Sequence, residues 1–285
     1  MMLPEEQDIF RPDARVGMSK ADDGFLTEPL DHVREAVRLK YADWRSLLGQ
    51  VNRLAVANQH SIEIHLDSIV EKYASALFAR TLTTTQASIR LLELGLVPQA
   101  NALLRSAMET HFALAAIAEE PDIVDKLLDG YVAEQKRVAT YIKLWQSPEL
   151  IQFAGEAFAP VRLQPITTNT ANALSTFDLA KKAGLEDWYR TVYMVFSWSA
   201  HGATVDLDRH VVVGEDGDVA EFRNEPEIEG QEQTWLCAIE ILLKATTALA
   251  AIFSNVDQSP LEQHHADLQT LKAKFQVNCE VELCR

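Results

Sequence analysis

Apolar residues recur at spacings of three and four along most of the chain, which is the pattern that amphipathic α-helices produce. Two such stripes cover 30–54 and 62–78. They predict an antiparallel helix pair, with one long kinked helix as the alternative. A broader apolar surface runs from Pro98 to about Ala118, with the proline at the start of its helix. Its breadth predicts the central element of a helical bundle.

Caps and chain breakers divide the rest of the chain into further helices. Thr83, Thr84 and Thr85 are predicted N-caps of a helix that ends at Gly95. Later helices are predicted over 123–145, about 173–183, 186–200, 235–252 and 261–275, before a tail that alternates as VNCEVEL. The pattern weakens between 147 and 187, which predicts an irregular loop around the short helix. The many aromatic residues of 186–200 predict burial on most sides of that helix.

One stretch of the chain carries a strand signal. His210–Val213 and Val219–Phe222 flank the turn sequence GEDGD, which predicts a β-hairpin. Residues 1–28 show no periodicity and are expected to form a loose N-terminal arm. We therefore predict an all-α fold, a bundle of about seven helices with one small β-hairpin, as a single domain over 29–285.

The composition supports this fold class and restricts the partners. Eleven Gly and ten Pro in 285 residues are too few for collagen, a disordered chain or a many-stranded sandwich. The net charge is 26 − 42 = −16. Because phosphate contacts dominate nucleic-acid affinity, this charge argues against DNA binding. A local basic patch could still hold RNA.

Other sequence features bear on the compartment and on cofactors. No uncharged apolar run approaches the roughly 18 residues of a membrane helix, and the start MMLPEEQDIF lacks the features of a signal peptide. Cys237, Cys279 and Cys284 are too scattered for a disulfide framework and are expected to be reduced thiols. We expect a cytoplasmic protein without membrane contacts. Phosphate-loop, hydrolase-elbow and zinc-helix motifs are absent, so no cofactor is expected.

The central helix carries the first candidate site. Arg105 and Glu109 are four residues apart and can pair on one face. Such a pair beside an apolar stripe is either a structural lock or part of an active site. His111 falls on the apolar stripe, where it is either a core histidine or a catalytic one.

His201, followed by Gly202 at a predicted helix end, is the second candidate. It can act as a general acid or base, or it can cap the last carbonyls of the helix. If 206–210 were extended, Asp206, Asp208 and His210 would share a face and form with His201 a set of nitrogen and oxygen metal ligands. A solvated charged edge is the alternative, and we predict no metal site. His264 and His265 with Cys279 and Cys284 have zinc-like content without zinc-like spacing.

Two stretches within 83–204 carry a resemblance to a widespread bacterial family of unknown function. They are ASIRLLELGLVPQANALLRSAMETHFALAAIAEEP and, about 75 residues later, VYMVFSWSAHG. The chain resembles that family in a helix of the type ALLRSxxE, which holds Arg105 and Glu109, and in a Y-x3-S-x3-HG segment. This segment supplies Tyr193, Ser197 and His201, and the resemblance implies that Tyr193 and Ser197 contact a ligand.

At the level of a helical pair and an Arg-x(4 to 6)-His spacing, the family is in turn similar to HEPN (higher eukaryotes and prokaryotes nucleotide-binding) proteins. Many of those are dimeric, metal-independent endoribonucleases of toxin–antitoxin and phage-defence systems. The resemblance implies that Arg105, Glu109, His201 and His111 are catalytic residues and that the chain forms a homo-oligomer acting on RNA. The alternative is a protein- or ligand-binding module in which the Arg, Glu and His residues are structural.

Overall fold

The computed structural model describes residues 30–145, 152, 174–214, 217–223 and 225–283. Within these ranges the chain is an all-α bundle with one antiparallel β-hairpin, which confirms the predicted fold class. The expected N-terminal arm over 1–28 lies outside the described residues, as does most of the loop predicted after 147.

The first five helices are α1 (Asp31–Lys40), α2 (Ala42–Ser61), α3 (Ile69–Leu92), α4 (Val97–Glu119) and α5 (Ile123–Trp145). The second part of the chain contains α6 (Thr176–Lys182), α7 (Glu186–Trp188), a π-helical turn (Tyr189–Tyr193), α8 (Met194–His201), α9 (Thr204–Leu207), a 3₁₀ turn (Asp208–His210), β1 (Val211–Val213), β2 (Val219–Phe222), α10 (Glu232–Ile252) and α11 (Leu261–Leu283).

Helix α4 is the centre of the bundle, as its broad apolar surface predicts. It packs against α3, α5, α6, α8 and α10. From Ala107 onward nearly every turn is buried on more than one side, including the whole run from His111 to Ile117. A helix enclosed on most of its circumference needs apolar residues beyond a single stripe. Small alanines at 113, 115 and 116 supply them without bulk.

Helix α10 is the second core helix and packs on α2, α3 and α4. By length and composition it could cross a membrane, because after Glu232 its charged residues are Glu240 and Lys244 alone. In the bundle, 61% of its most apolar window is buried against other helices. This burial explains the apolar composition of α10, which is a core helix of the described part of the chain.

Three helix boundaries differ from the predicted ones. The first stripe divides at Tyr41 into α1 and α2, and α3 follows after a short connection. Thr83–Thr85 are not N-caps, because α3 runs through them. The hydroxyls of Thr81, Thr83 and Thr85 donate to carbonyls four residues earlier, so they are satisfied inside the helix. At the other end of the chain, α11 continues through the segment predicted to be an alternating tail.

The aromatic helix predicted over 186–200 is present, but it is not buried on most sides. Tyr193 and Phe196 are buried, whereas Met194, Val195 and Trp198 are exposed. The predicted hairpin forms between β1 and β2, with Val211 opposite Phe222. Its residues Val213, Val219 and Phe222 are also exposed. The exposed apolar side chains of α8 and of the hairpin are therefore not explained by packing in the core.

Gly95 makes the turn between α3 and α4 with φ of +75°. Its carbonyl accepts a hydrogen bond from the backbone N–H of Glu227, at 2.8 Å. A Cβ at this position would lie 2.7 Å from the Cβ of Pro226. Both the left-handed backbone and the close approach of a second segment therefore require glycine here.

We predict that Gly95→Ala lowers the free energy of unfolding by roughly 2–4 kcal/mol, since it combines backbone strain with a steric clash. Urea denaturation followed by circular dichroism measures this loss. Gly184→Ala is the matched control, because Gly184 also has a positive φ, of +67°, but no atom of a described residue lies within 4 Å of an added Cβ. The control should lose only about 1 kcal/mol. Equal losses in the two variants would contradict the proposed clash.

Candidate functional site

Four polar side chains meet where α8 packs against α4. Arg105 and Glu109 come from α4, Tyr193 ends the π-helical turn, and Ser197 lies on α8. We call these four residues the polar cluster. Arg105 Nε donates to Ser197 Oγ at 2.9 Å, and Arg105 Nη2 donates to the Tyr193 hydroxyl at 2.8 Å. That hydroxyl donates to Glu109 Oε1 at 2.7 Å.

The local sequence places these groups in register. Arg105 and Glu109 are one helical turn apart and also form a direct ion pair, with Nη2 and Oε1 3.2 Å apart. Tyr193 and Ser197 are likewise four residues apart, and Ser197 Oγ donates to the Tyr193 carbonyl at 2.7 Å. Two pairs with the same spacing thus face each other across the α4–α8 contact.

Aromatic rings hold Tyr193 in place. Its ring stacks on Tyr189, with centroids 4.8 Å apart, and makes a tilted contact with Phe112. The guanidinium carbon of Arg105 lies 4.9 Å from the centroid of the same ring. Tyr193 is therefore fixed between a cation and two aromatic neighbours.

Burial and the hydrogen bond with Glu109 raise the pKa of Tyr193 to about 12. The hydroxyl therefore keeps its proton at neutral pH and serves as a donor to Glu109. Within this arrangement it cannot act as a base near pH 7. The hydroxyl connects Arg105 to Glu109 through two hydrogen bonds.

Arg105 keeps hydrogen-bonding capacity beyond the cluster. Its Nε and Nη2 atoms are engaged, but no acceptor on a described residue contacts Nη1. Its side chain is 20% exposed. A guanidinium held rigidly on one edge and open on the other can bind an anionic group such as a phosphate.

His201 ends α8, one turn beyond Ser197, and is exposed. Gly202 follows in the left-handed conformation, with φ of +59° and ψ of +44°, so the predicted glycine cap is present. In the part of the chain that the structure describes, the side chain of His201 makes no hydrogen bond or ion pair. Its imidazole is exposed, and its position four residues after Ser197 places it on the same face of α8 as Ser197.

His111 lies elsewhere, in the core, and is 1% exposed. Neither ring nitrogen has a hydrogen-bond partner among the described residues. Burial, with a smaller effect from Lys244, lowers its pKa to about 3. His111 therefore lies in the core and makes no hydrogen bond with the polar cluster, although it follows Glu109 by two residues on α4.

The metal-ligand arrangement considered for 206–210 is not formed. This segment is helical instead of extended, so Asp206, Asp208 and His210 do not share a face. Asp206 accepts a hydrogen bond from Ser199 and pairs with Arg209, and His210 Nδ1 contacts the Arg223 carbonyl. Across the described ranges, no group of three His, Cys, Asp or Glu residues is placed to hold a metal ion.

Two features of the site region were not predicted from the sequence. One is the π-helical turn, which no residue pattern predicts. The other is Tyr189, whose position four residues before Tyr193 could have indicated a stacked pair.

The segment that holds the polar cluster also decides the family. Residues 71–219, just over half of the chain, match a family model described as a family of unknown function. The chain belongs to the DUF5677 family. No curated protein and no solved structure matches the chain. The DUF5677 segment contains the whole polar cluster and both candidate histidines, which agrees with the expected family of unknown function.

The DUF5677 segment does not supply the entire core. It starts in α3 and ends at the first residue of β2, so α1, α2, α10 and α11 lie outside it. Yet α10 packs against both α3 and α4. The helices that flank the DUF5677 segment thus complete the burial of its central helix.

Tyr193→Phe removes the hydroxyl that joins Arg105 to Glu109. We predict a loss of about 1–2 kcal/mol of unfolding free energy, because both charged groups lose a partner in a partly buried place. Thermal and urea denaturation measure the loss. Tyr189→Phe is the matched control, since the Tyr189 hydroxyl has no hydrogen bond with a described residue and its loss should be neutral. Identical stability of the two variants would argue against the network.

The burial of His111 predicts a pH-dependent stability. The ordinary pKa of a histidine is 6.5, so His111 of the unfolded chain binds a proton as the pH falls below that value. In the folded chain His111 stays neutral until about pH 3. The wild type therefore loses stability across this window, and His111→Leu removes this contribution. At pH 8 the variant should be at least as stable as the wild type, with the difference growing toward pH 5. Parallel pH profiles in urea denaturation would show that His111 is not buried and neutral.

Proposed function

We propose that the chain is a metal-independent endoribonuclease of the HEPN-like type, with its active centre at the polar cluster and His201. The observation that carries this proposal is that Ser197 links the two groups such chemistry needs. Arg105 donates to Ser197, and His201 follows Ser197 by one helical turn. A fixed guanidinium and an accessible imidazole therefore adjoin the same residue.

The chemistry follows from these groups. Arg105 would bind the scissile phosphodiester through its open edge, with Glu109 and Tyr193 fixing its orientation. His201 would accept the proton of the ribose 2′-hydroxyl while that oxygen attacks phosphorus. The bond from phosphorus to the 5′-oxygen then breaks, leaving a 2′,3′-cyclic phosphate. The 5′-oxygen takes a proton from water, and protonated His201 returns its proton to the hydroxide that forms. Arg105 would stabilise the charge that develops on the phosphoryl oxygens.

Exposure favours His201 over His111 as the base. An RNA chain is an external ligand, and the base must reach the 2′-hydroxyl directly or through one water molecule. His111 is enclosed by core side chains, whereas His201 is exposed. The spacing of Arg105 and His111 resembles the HEPN pattern, which implies that His111 is the general base. In this proposal His201 is the general base instead.

Further parts of the proposal follow from the resemblance to HEPN proteins. Two copies of the chain would associate and bring two such centres together, in a toxin or phage-defence system of a bacterial cytoplasm. The net charge of −16 opposes general nucleic-acid affinity. Binding would therefore depend on the arginine at the site. With about one phosphate neutralised, affinity should fall only about in inverse proportion to the salt concentration.

One observation favours a second candidate function, a protein- or ligand-binding module with a structural cluster. The polar cluster is connected internally: Arg105 binds Ser197 and Tyr193, and Tyr193 binds Glu109. Ser197 in turn binds the Tyr193 carbonyl. Hydrogen bonds of this kind fix helix packing without any ligand, even with Nη1 of Arg105 left open. In that case Arg105→Ala would lower stability and change no catalytic activity.

Cleavage of total RNA in the presence of EDTA separates the two candidates. We predict that the wild type cuts RNA to products with 2′,3′-cyclic phosphate ends. His201→Gln should lower the rate by a factor of about 100 or more, as expected for loss of a general base, without a change in melting temperature. Arg105→Lys should lose activity as well, because a lysine cannot make both hydrogen bonds.

The matched control is His60→Gln, since His60 is another exposed histidine in the last turn of a helix, α2. It should retain full activity. A wild type that cuts no RNA, or activity that survives in both His201→Gln and Arg105→Lys, would refute the ribonuclease proposal. The binding-module candidate would then stand.

A further inference from the structure

A second charged cluster lies at the C-terminal end of α3, where three guanidinium groups surround one carboxylate. Arg45 Nε lies 2.8 Å from Glu93 Oε1, and Arg90 Nη1 lies 3.2 Å from Glu93 Oε2. Arg38 Nη2 is 3.7 Å from the same Oε2. We call Arg38, Arg45, Arg90 and Glu93 the arginine cluster. Its members come from α1, α2 and the end of α3.

The charges of the arginine cluster do not balance. Three arginines and one glutamate give +3 − 1 = +2. No other carboxylate among the described residues lies within ion-pair distance of these arginines. This local excess stands in a chain whose net charge is −16. Three like charges drawn to within 4 Å of one carboxylate repel each other, so a second anion would lower the energy of the arrangement.

The hydrogen bonds are incomplete as well. A guanidinium has five N–H donors, and among the described side chains Glu93 accepts hydrogen bonds only from Arg45 and Arg90. Arg38 is too distant from Glu93 for a hydrogen bond, and its Nε is buried without a partner among the described residues. A buried donor without an acceptor is costly. Arg38 Nε is itself out of reach of solvent, but the Nη groups of the arginines are not among the buried unpartnered atoms. The cluster thus has charge and Nη donors available for an oxyanion.

The arginines are also accessible to a ligand. Glu93 is enclosed, with 4% of its side chain exposed, whereas the side chains of Arg38, Arg45 and Arg90 are 35%, 43% and 76% exposed. The carboxylate therefore forms the floor of the cluster, and the guanidinium groups border it toward solvent. From this floor Glu93 holds the arginines in place while leaving most of their donors unused.

We infer that Arg38, Arg45 and Arg90 bind a phosphate group on the floor that Glu93 provides. The excess of two positive charges matches a phosphate dianion, whereas a carboxylate would leave one charge uncompensated. Planar guanidinium groups bind phosphate oxygens in pairs, which adds geometric selectivity. This inference does not rest on the proposed ribonuclease function, because it uses none of the residues of the polar cluster.

Isothermal titration calorimetry with the full chain tests the site, using inorganic phosphate, pyrophosphate and AMP at constant ionic strength. We expect saturable binding to the wild type, and Arg38→Gln should weaken it roughly tenfold or more, the loss expected for a charge-assisted hydrogen bond. Binding of inorganic phosphate alone would identify a free-ion site, and tighter binding of AMP would identify a nucleotide phosphate as the ligand. Either result supports the site.

The variants are chosen to preserve the fold. Arg38→Gln leaves both hydrogen bonds to Glu93 intact and removes one of three mutually repelling charges, so its melting temperature should be at least that of the wild type. Arg53→Gln is the control, since it removes one positive charge from an exposed place on α2 outside the cluster. No saturable heat with any of the three ligands would overturn the inference, and so would an equal loss in Arg38→Gln and Arg53→Gln. RNA cleavage by Arg38→Gln stays at the wild-type rate in either case.

Discussion

The structure depends on the burial of α4. A helix that is enclosed on most sides must find apolar contact in every direction, and α3, α8 and α10 provide it from both sides of the sequence. Arg105 and Glu109 sit on the part of α4 where this enclosure is incomplete. Because the remainder of the helix cannot rotate or slide without losing core contacts, these two charged residues are held in a fixed orientation.

Rigid support of this kind serves a binding site as well as a fold. The polar cluster takes its positions from two helices with little freedom, and the aromatic contacts of Tyr193 remove most of what remains. The arginine cluster is built differently. Its guanidinium groups extend from three helix segments toward solvent, and one buried carboxylate gathers them. The first arrangement favours precise orientation, and the second favours charge.

The sequence predicted those features that depend on local spacing. Helical periodicity indicated nearly all of the helices, and the same four-residue spacing indicated that Arg105 could pair with Glu109. The spacing could not reveal the ion pairs of Glu93 with Arg38 and Arg45. These arginines lie about 50 residues away, and their convergence on Glu93 depends on how α1 and α2 pack. The threonines at 83–85 misled for a related reason. A hydroxyl can cap a helix or bond within it, and only the continuing core contacts of α3 decide between these.

The π-helical turn at Tyr189–Tyr193 separates two orientations along one helical stretch. Just before the turn, Trp188 contacts Lys244 of α10, while Tyr193 at its end and Ser197 beyond it face Arg105. A π-helical turn accommodates about one residue more than an α-helical turn, and each residue of an α-helix turns the face by about 100°. The number of residues in this short segment, and not only their identity, therefore sets the phase of α8. A single-residue insertion or deletion here would rotate α8 relative to α4. It would change which α8 side chains meet Arg105, while the contacts of α4 with α3 and α10 stay in place.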